Sequence, residues 1–129
     1  MEKRINISTG APWEDIVGYS RAVRIADLIE VSGTTATDQG EVVGKGDYYK
    51  QTKFILEKII AAIEKAGGKV SDIVRTRIYV RDIKQWEAVA KAHFEFLGSI
   101  KPATSMVEVS ALIDEDLLVE IEATAMLNS

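Results

Sequence analysis

Apolar and polar positions along this chain change period several times, and each change marks an element. In GDYYKQTKFILEKIIAAIEKAGG (46–68), Tyr48, Thr52, Ile55, Ile59, Ala62 and Ala66 recur at helical spacing, and Leu56, Ile60 and Ile63 widen the stripe. Asp47 is the expected N-cap and Gly67 the left-handed stop. A second helix is predicted in DIKQWEAVAKAHFEFLG (82–98). There Asp82 and Gln85 have capping-box spacing, and Ile83, Trp86, Val89, Ala90, His93 and Leu97 form the inner face. Alternation with β-branched content predicts strands in KRINIS, YSRAVRIA, LIEVSG, VRTRIYV, ATSMVEVS and VEIEATAML.

The order of these elements predicts an α+β two-layer sandwich, a mixed sheet with two helices on one face. Val74, Ile78 and Val80, with Val119, Ile121, Ala123 and Ala125, are the expected helix-facing positions. The opposite face then carries Arg75, Arg77 and Tyr79, Glu120, Glu122, Thr124 and Met126, and Thr104, Met106 and Glu108 from the strand between. Both charge signs mixed with Met and Tyr suit a second layer supplied by another copy of the chain, so self-association is expected.

Composition narrows the picture. A chain of 129 residues with 47% hydrophobic and 28% charged residues fits one compact domain, 1–129. The opening MEKRINISTG lacks an apolar h-region and no later stretch is long enough to span a membrane, so the cytoplasm is the expected address. The chain has no cysteine, which excludes disulfides and thiolate chemistry, and one histidine gives no metal-ligand spacing. A formal charge of −4 argues against a nucleic-acid partner. The stripe Arg75, Arg77, Arg81 is read as pairing with carboxylates. His93 among apolar residues reads as a packing residue with its polar atoms satisfied, and core packing is the default for Trp13 and Trp86.

Ser32-Gly33 closing a strand, a helix ending in AGG, SDIVRTRIYVRDI, PATSMVEV and VEIEA, in consistent spacing along nearly the whole chain, resemble the RidA (YjgF) family, also called endoribonuclease L-PSP. The resemblance implies a chorismate-mutase-like subunit and a homotrimer with a central β-barrel and ligand clefts at its interfaces. It further implies hydrolysis of enamines or imines such as 2-aminoacrylate to a 2-keto acid and ammonia, without a cofactor. Matched residue by residue, Tyr19, Ser32 with Gly33, and Glu120 as the water-positioning carboxylate are retained. The family's carboxylate-clamping arginine is Thr104, its cysteine beyond Ser105 is Met106, and an asparagine of the second helix is Ala90. Loss of one partner of a desolvated charged pair costs about 2 to 5 kcal/mol, so 2-imino acids are expected to be poor substrates. Two classes remain open. One is a divergent deaminase for enamines or imines that do not depend on the clamp; the other is a protein that binds a small keto or imino metabolite. An endoribonuclease conflicts with the charge.

Overall fold

The computed structural model describes residues 3–128. In chain order its elements are β1 Arg4–Ile7, α1 Pro12–Val17, β2 Ala22–Ile25, β3 Leu28–Thr35, β4 Thr37–Asp38, β5 Glu41–Val42, α2 Tyr48–Lys65, β6 Ile73–Val80, α3 Trp86–Leu97, β7 Ala103–Glu108 and β8 Val119–Met126. Six strands form one sheet in the order β1-β2-β3-β8-β6-β7, and β4 and β5 pair in a separate hairpin. β6 and β7 run parallel, joined through α3, and the other neighbours are antiparallel. The long helix α2 packs on β3 and β8 and against α3, so the two helices share one sheet face. Ile55, Leu56, Ile59 and Ile63 of α2 are fully buried there against Ile29, Ile121 and Ala125, each contributing about 1.5 to 3 kcal/mol relative to exposure. Asp47 caps α2 by accepting from the Lys50 amide at 3.0 Å. Gly67 follows at φ 96, and the Gly68 amide closes the end on the Ile63 carbonyl at 2.9 Å, both helix ends lying where the pattern placed them.

Four readings are corrected. An irregularity between Ile73 and Arg75 shifts the parity of β6, so Ile73 faces the helices and Val74 is 45% exposed. In β7, Thr104, Met106 and Glu108 register with Thr76, Ile78 and Val80, which puts them on the helix side; Ser105 shares the open face and accepts from Arg75 at 2.9 Å. The Asp82/Gln85 capping box does not form: Asp82 caps a single 3-10 turn over Ile83–Gln85 through the Lys84 amide, and α3 begins one turn later. The buried face of α3 is Val89, Ala92 and Leu97, leaving Ile83 and Trp86 half exposed. The short helix α1 and the β4-β5 hairpin carry too few residues for a periodic signal.

Candidate functional site

One group of side chains gathers where β2, β3 and β8 meet the end of α1. β3 and β8 lose register between Val31 and Thr34, and Ser32-Gly33 occupies that irregularity. The Ser32 hydroxyl donates to the Ser20 carbonyl at 2.7 Å, tying β3 to the loop that carries Tyr19. Gly33 leaves room for a close approach: the end of the Glu120 side chain lies across its backbone from β8, where a Cβ would push the carboxylate aside. Burial pushes the Glu120 carboxyl above its ordinary range, the Glu122 carboxylate pushes it further, and the Arg21 guanidinium pulls against both.

Arg21 is the residue that reading the sequence missed. It is 7% exposed. Its Nη1 donates to the Gly33 carbonyl and to Thr34 Oγ1, both at 2.8 Å, and its Nη2 donates to the Tyr19 hydroxyl at 3.3 Å. The guanidinium therefore ties Tyr19 to the Ser32-Gly33 irregularity of β3 and pulls against the rise in the Glu120 pKa. Two further charges stand around it. Burial would raise Glu14, but hydrogen bonds from the Thr9 and Ser8 hydroxyls and the Thr9 amide, helped by Arg21, hold it below the ordinary range. Lys58 reaches from α2 to the Thr37 carbonyl at 2.9 Å, and its pKa is lowered by burial and then by Arg21. The signal available in the sequence was a cation directly before the apolar pair Ala22-Val23 that opens a strand.

A second group lies at the opposite edge of the sheet. Thr104 of β7 and Thr76 of β6 stand side by side on the helix face, their hydroxyl oxygens 2.8 Å apart, and His93 of α3 closes onto Thr76 with Nε2 at 2.9 Å. Thr76 is 0% exposed, His93 half-buried and Thr104 exposed. Met106 packs on the core behind them, and Ala90 sits one turn before His93 on α3. The satisfied packing role read for His93 fits its bond to Thr76. The polar residue Thr76, within an otherwise apolar inner stripe, was the overlooked sign that His93 has a partner.

The site residues matched from the sequence thus divide. Tyr19, Ser32, Gly33 and Glu120 come together; Ala90, Thr104 and Met106 form the other group, and Ser105 turns to the open face. Glu120 and Thr104 lie on opposite faces of the sheet, two strands and three registers apart, or about 10 Å across and about 10 Å along. A single copy cannot bring them onto one small ligand. Each group has exposed aromatic surface beside it: Trp13 of α1, 49% exposed, on the first side, and Trp86 of α3, 52% exposed, on the second. Neither tryptophan is in the core, contrary to the default for large aromatics. Among the described residues no group of three or more potential ligands could hold a metal ion, and no helix is long and apolar enough to cross a membrane.

The open sheet face is mixed as expected. Arg77 approaches Glu122 at 3.9 Å, Tyr79 donates to Glu122 at 3.1 Å, and Thr124 donates to Glu30 at 2.6 Å. Val107 and Met126 stand exposed among them, and Arg75 Nε is buried without a partner.

A mixed sheet with two helices on one face, a glycine at a strand irregularity under a carboxylate and an exposed parallel edge strand define a class of small α+β proteins, and comparison places the chain within it. The profile of the family Endoribonuclease L-PSP matches residues 9–127. A crystal structure of Rv2704 from Mycobacterium tuberculosis, described as a member of the YjgF/YER057c/UK114 family, superposes with a TM-score of 0.89 at 47% identity, covering 97% of this chain and 100% of that one. A RutC family protein of Pyrococcus abyssi is 37% identical over 97% of this chain and 98% of its own length. The 3-aminoacrylate deaminase RutC of Acinetobacter baylyi is 31% identical over 97% and 98%. The chain belongs to the RidA (YjgF/RutC, endoribonuclease L-PSP) family.

Proposed function

We propose that this chain hydrolyses small enamines or imines to a carbonyl compound and ammonia, in clefts formed where neighbouring copies of a trimer meet. Glu120 carries the reading: a carboxylate held over Gly33, with its pKa raised by burial and Glu122, beside the Tyr19 hydroxyl and Arg21. A carboxyl raised toward neutrality is suited to take a proton from water and return it. For an imine, one water is consumed, the C=N group becomes C=O, and the nitrogen departs as one ammonia. Water adds to the carbon as Glu120 accepts its proton, and the nitrogen, protonated, leaves as ammonia when the C–N bond breaks. The enamine named for the Acinetobacter relative supports this reaction class.

Trimerisation is supported by the two half-sites, which one copy holds apart, and by the open face with its exposed Val107 and Met126. A neighbouring copy brings Ala90, Thr104 and Met106 opposite Tyr19, Ser32, Gly33 and Glu120. Thr104 favours a second reading, a cleft that binds a neutral metabolite without turnover. Cleavage of RNA, named by the family profile, gains no support from a net charge of −4.

The test follows ammonia release from a panel of freshly generated enamines and imines, with and without protein, beside light scattering for mass. Accelerated release by a trimer is expected. A monomer at micromolar concentration ends the cleft reading, and a trimer that binds carbonyl compounds but accelerates nothing leaves only the binding protein.

A further inference from the structure

We propose that His93, Thr76 and Thr104 form a hydrogen-bonded relay that makes the Thr104 side of the cleft a receptor for neutral carbonyl and imine groups rather than for carboxylates. The inference rests on the cleft reading and names the substrate class. Thr76 Oγ1 lies between His93 Nε2 at 2.9 Å and Thr104 Oγ1 at 2.8 Å, and Thr104 also comes within 3.3 Å of the Pro102 carbonyl. Thr76 is fully buried, so its single hydroxyl proton goes to one of these two neighbours.

That constraint leaves two arrangements. With the proton on Nδ1, Thr76 donates to His93 and Thr104 donates to Thr76, which leaves the exposed Thr104 oxygen as an acceptor for an N–H of a ligand. With the proton on Nε2, His93 donates to Thr76 and Thr76 to Thr104, whose own proton goes to the Pro102 carbonyl at a long 3.3 Å until a ligand C=O competes for it. An imine substrate presents N–H and its hydrolysis product presents C=O, so one hydroxyl serves both by a tautomer change in the half-buried ring. Burial lowers the His93 pKa, and no charged neighbour contributes to the shift; the imidazole is neutral at pH 7, the form in which both tautomers exist. The nearby charges are engaged elsewhere: Glu95 accepts from the Tyr49 hydroxyl, Lys91 lies over the Tyr49 ring, Glu108 accepts from the Ile83 amide, and Arg75 points to the other face of the sheet. A carboxylate here would meet neutral hydroxyls and Met106, and among the described residues no cation is hydrogen-bonded to Thr104, Thr76 or His93.

Propionamide and propionate, nearly identical in shape, separate the cases. Binding to the trimeric protein is measured at neutral pH by NMR titration, together with the imidazole nitrogen shifts of His93. Propionamide is expected to bind about tenfold more tightly than propionate. Thr104→Val, which keeps the shape, removes the difference; His93→Gln, whose side-chain amide can reach Thr76, retains most of it, and His93→Leu loses it. A change in the His93 tautomer populations on adding propionamide marks the relay, since a purely structural histidine would not respond. Equal or tighter binding of propionate, undetectable binding of both at the highest soluble concentration, or a Thr104→Val protein that keeps the preference overturns the proposal. A trimer that releases ammonia yet shows no amide preference sinks the relay alone, whereas a monomer sinks the cleft.

Discussion

The two half-sites differ in how they hold charge. Around Tyr19 and Glu120 stand Arg21, Glu14 and Lys58, with the guanidinium spent on the Gly33 carbonyl, Thr34 and Tyr19. Around Thr104 the polar atoms are a neutral imidazole and two hydroxyls. The first half is a preorganised electrostatic frame whose cation serves the protein's own strand β3. The second is a neutral, adaptable hydrogen-bonding surface on an edge strand. A cleft built from both would place charge stabilisation at the Glu120 carboxylate and leave ligand choice to groups that discriminate by hydrogen-bond sense rather than by charge.

The comparison breaks most sharply at Glu120. Glu120→Gln should lower ammonia release about 100-fold or more if the carboxylate is the base, with trimer mass unchanged, as read by steady-state assay and light scattering. The pH profile of the parent should rise through an apparent pKa above the ordinary carboxylate range, because the ionised form is the active one. The stability sign is opposite: with the folded pKa raised, the native state holds the proton longer than the unfolded chain, so stability falls as pH rises across that window. Glu120→Gln should therefore be more stable than the parent at pH 7 in urea denaturation.

Next in size is a reversal of the neutral half. Thr104→Arg puts a cation on the edge strand and breaks the bond to Thr76, so propionate should gain about 30-fold over propionamide in NMR titration. A variant still preferring the amide would show that Thr104 does not face the ligand.

Gly33→Ala tests the frame without changing its charge. The added Cβ displaces the end of the Glu120 side chain, which should cost about 0.5 to 1.5 kcal/mol of stability and roughly tenfold in rate, while propionamide binding stays within about twofold. Chemical denaturation and the ammonia assay read the two effects separately.

The smallest effect belongs to His93. Its folded pKa is lowered from 6.5, so the unfolded chain takes up a proton first, and stability is lost as pH falls below that value. His93→Gln should flatten the slope of stability against pH between about 6.5 and 5, measured by urea midpoints, and leave the pH 7 value little changed.

Much of the fold was legible because long elements repeat their signal. Five turns of α2 and four apolar positions on β8 outweigh any single exception, and the caps Asp47 and Gly67 act within one turn of the chain. Of the candidate site, Ser32-Gly33 and Glu120 were legible as a motif. Arg21 was not, since whether a cation is buried depends on acceptors supplied by β3, and the Gly33 carbonyl and Thr34 hydroxyl are 12 and 13 residues away. The face of Thr104 was misread because β7 is an edge strand exposed on both sides, where alternation carries little burial information.

By itself, then, the order of residues determined the long elements, the layer they form and the family, because periodicity and capping are decided among near neighbours. Tertiary structure alone decided which way β7 turns, since its parity comes from the register of the parallel strand β6. It also decided that Thr76, His93 and Thr104 meet, and that they stand on the far side of the sheet from Glu120. These are contacts between residues distant in the chain, set by strand pairing and helix docking, and no local pattern carries them.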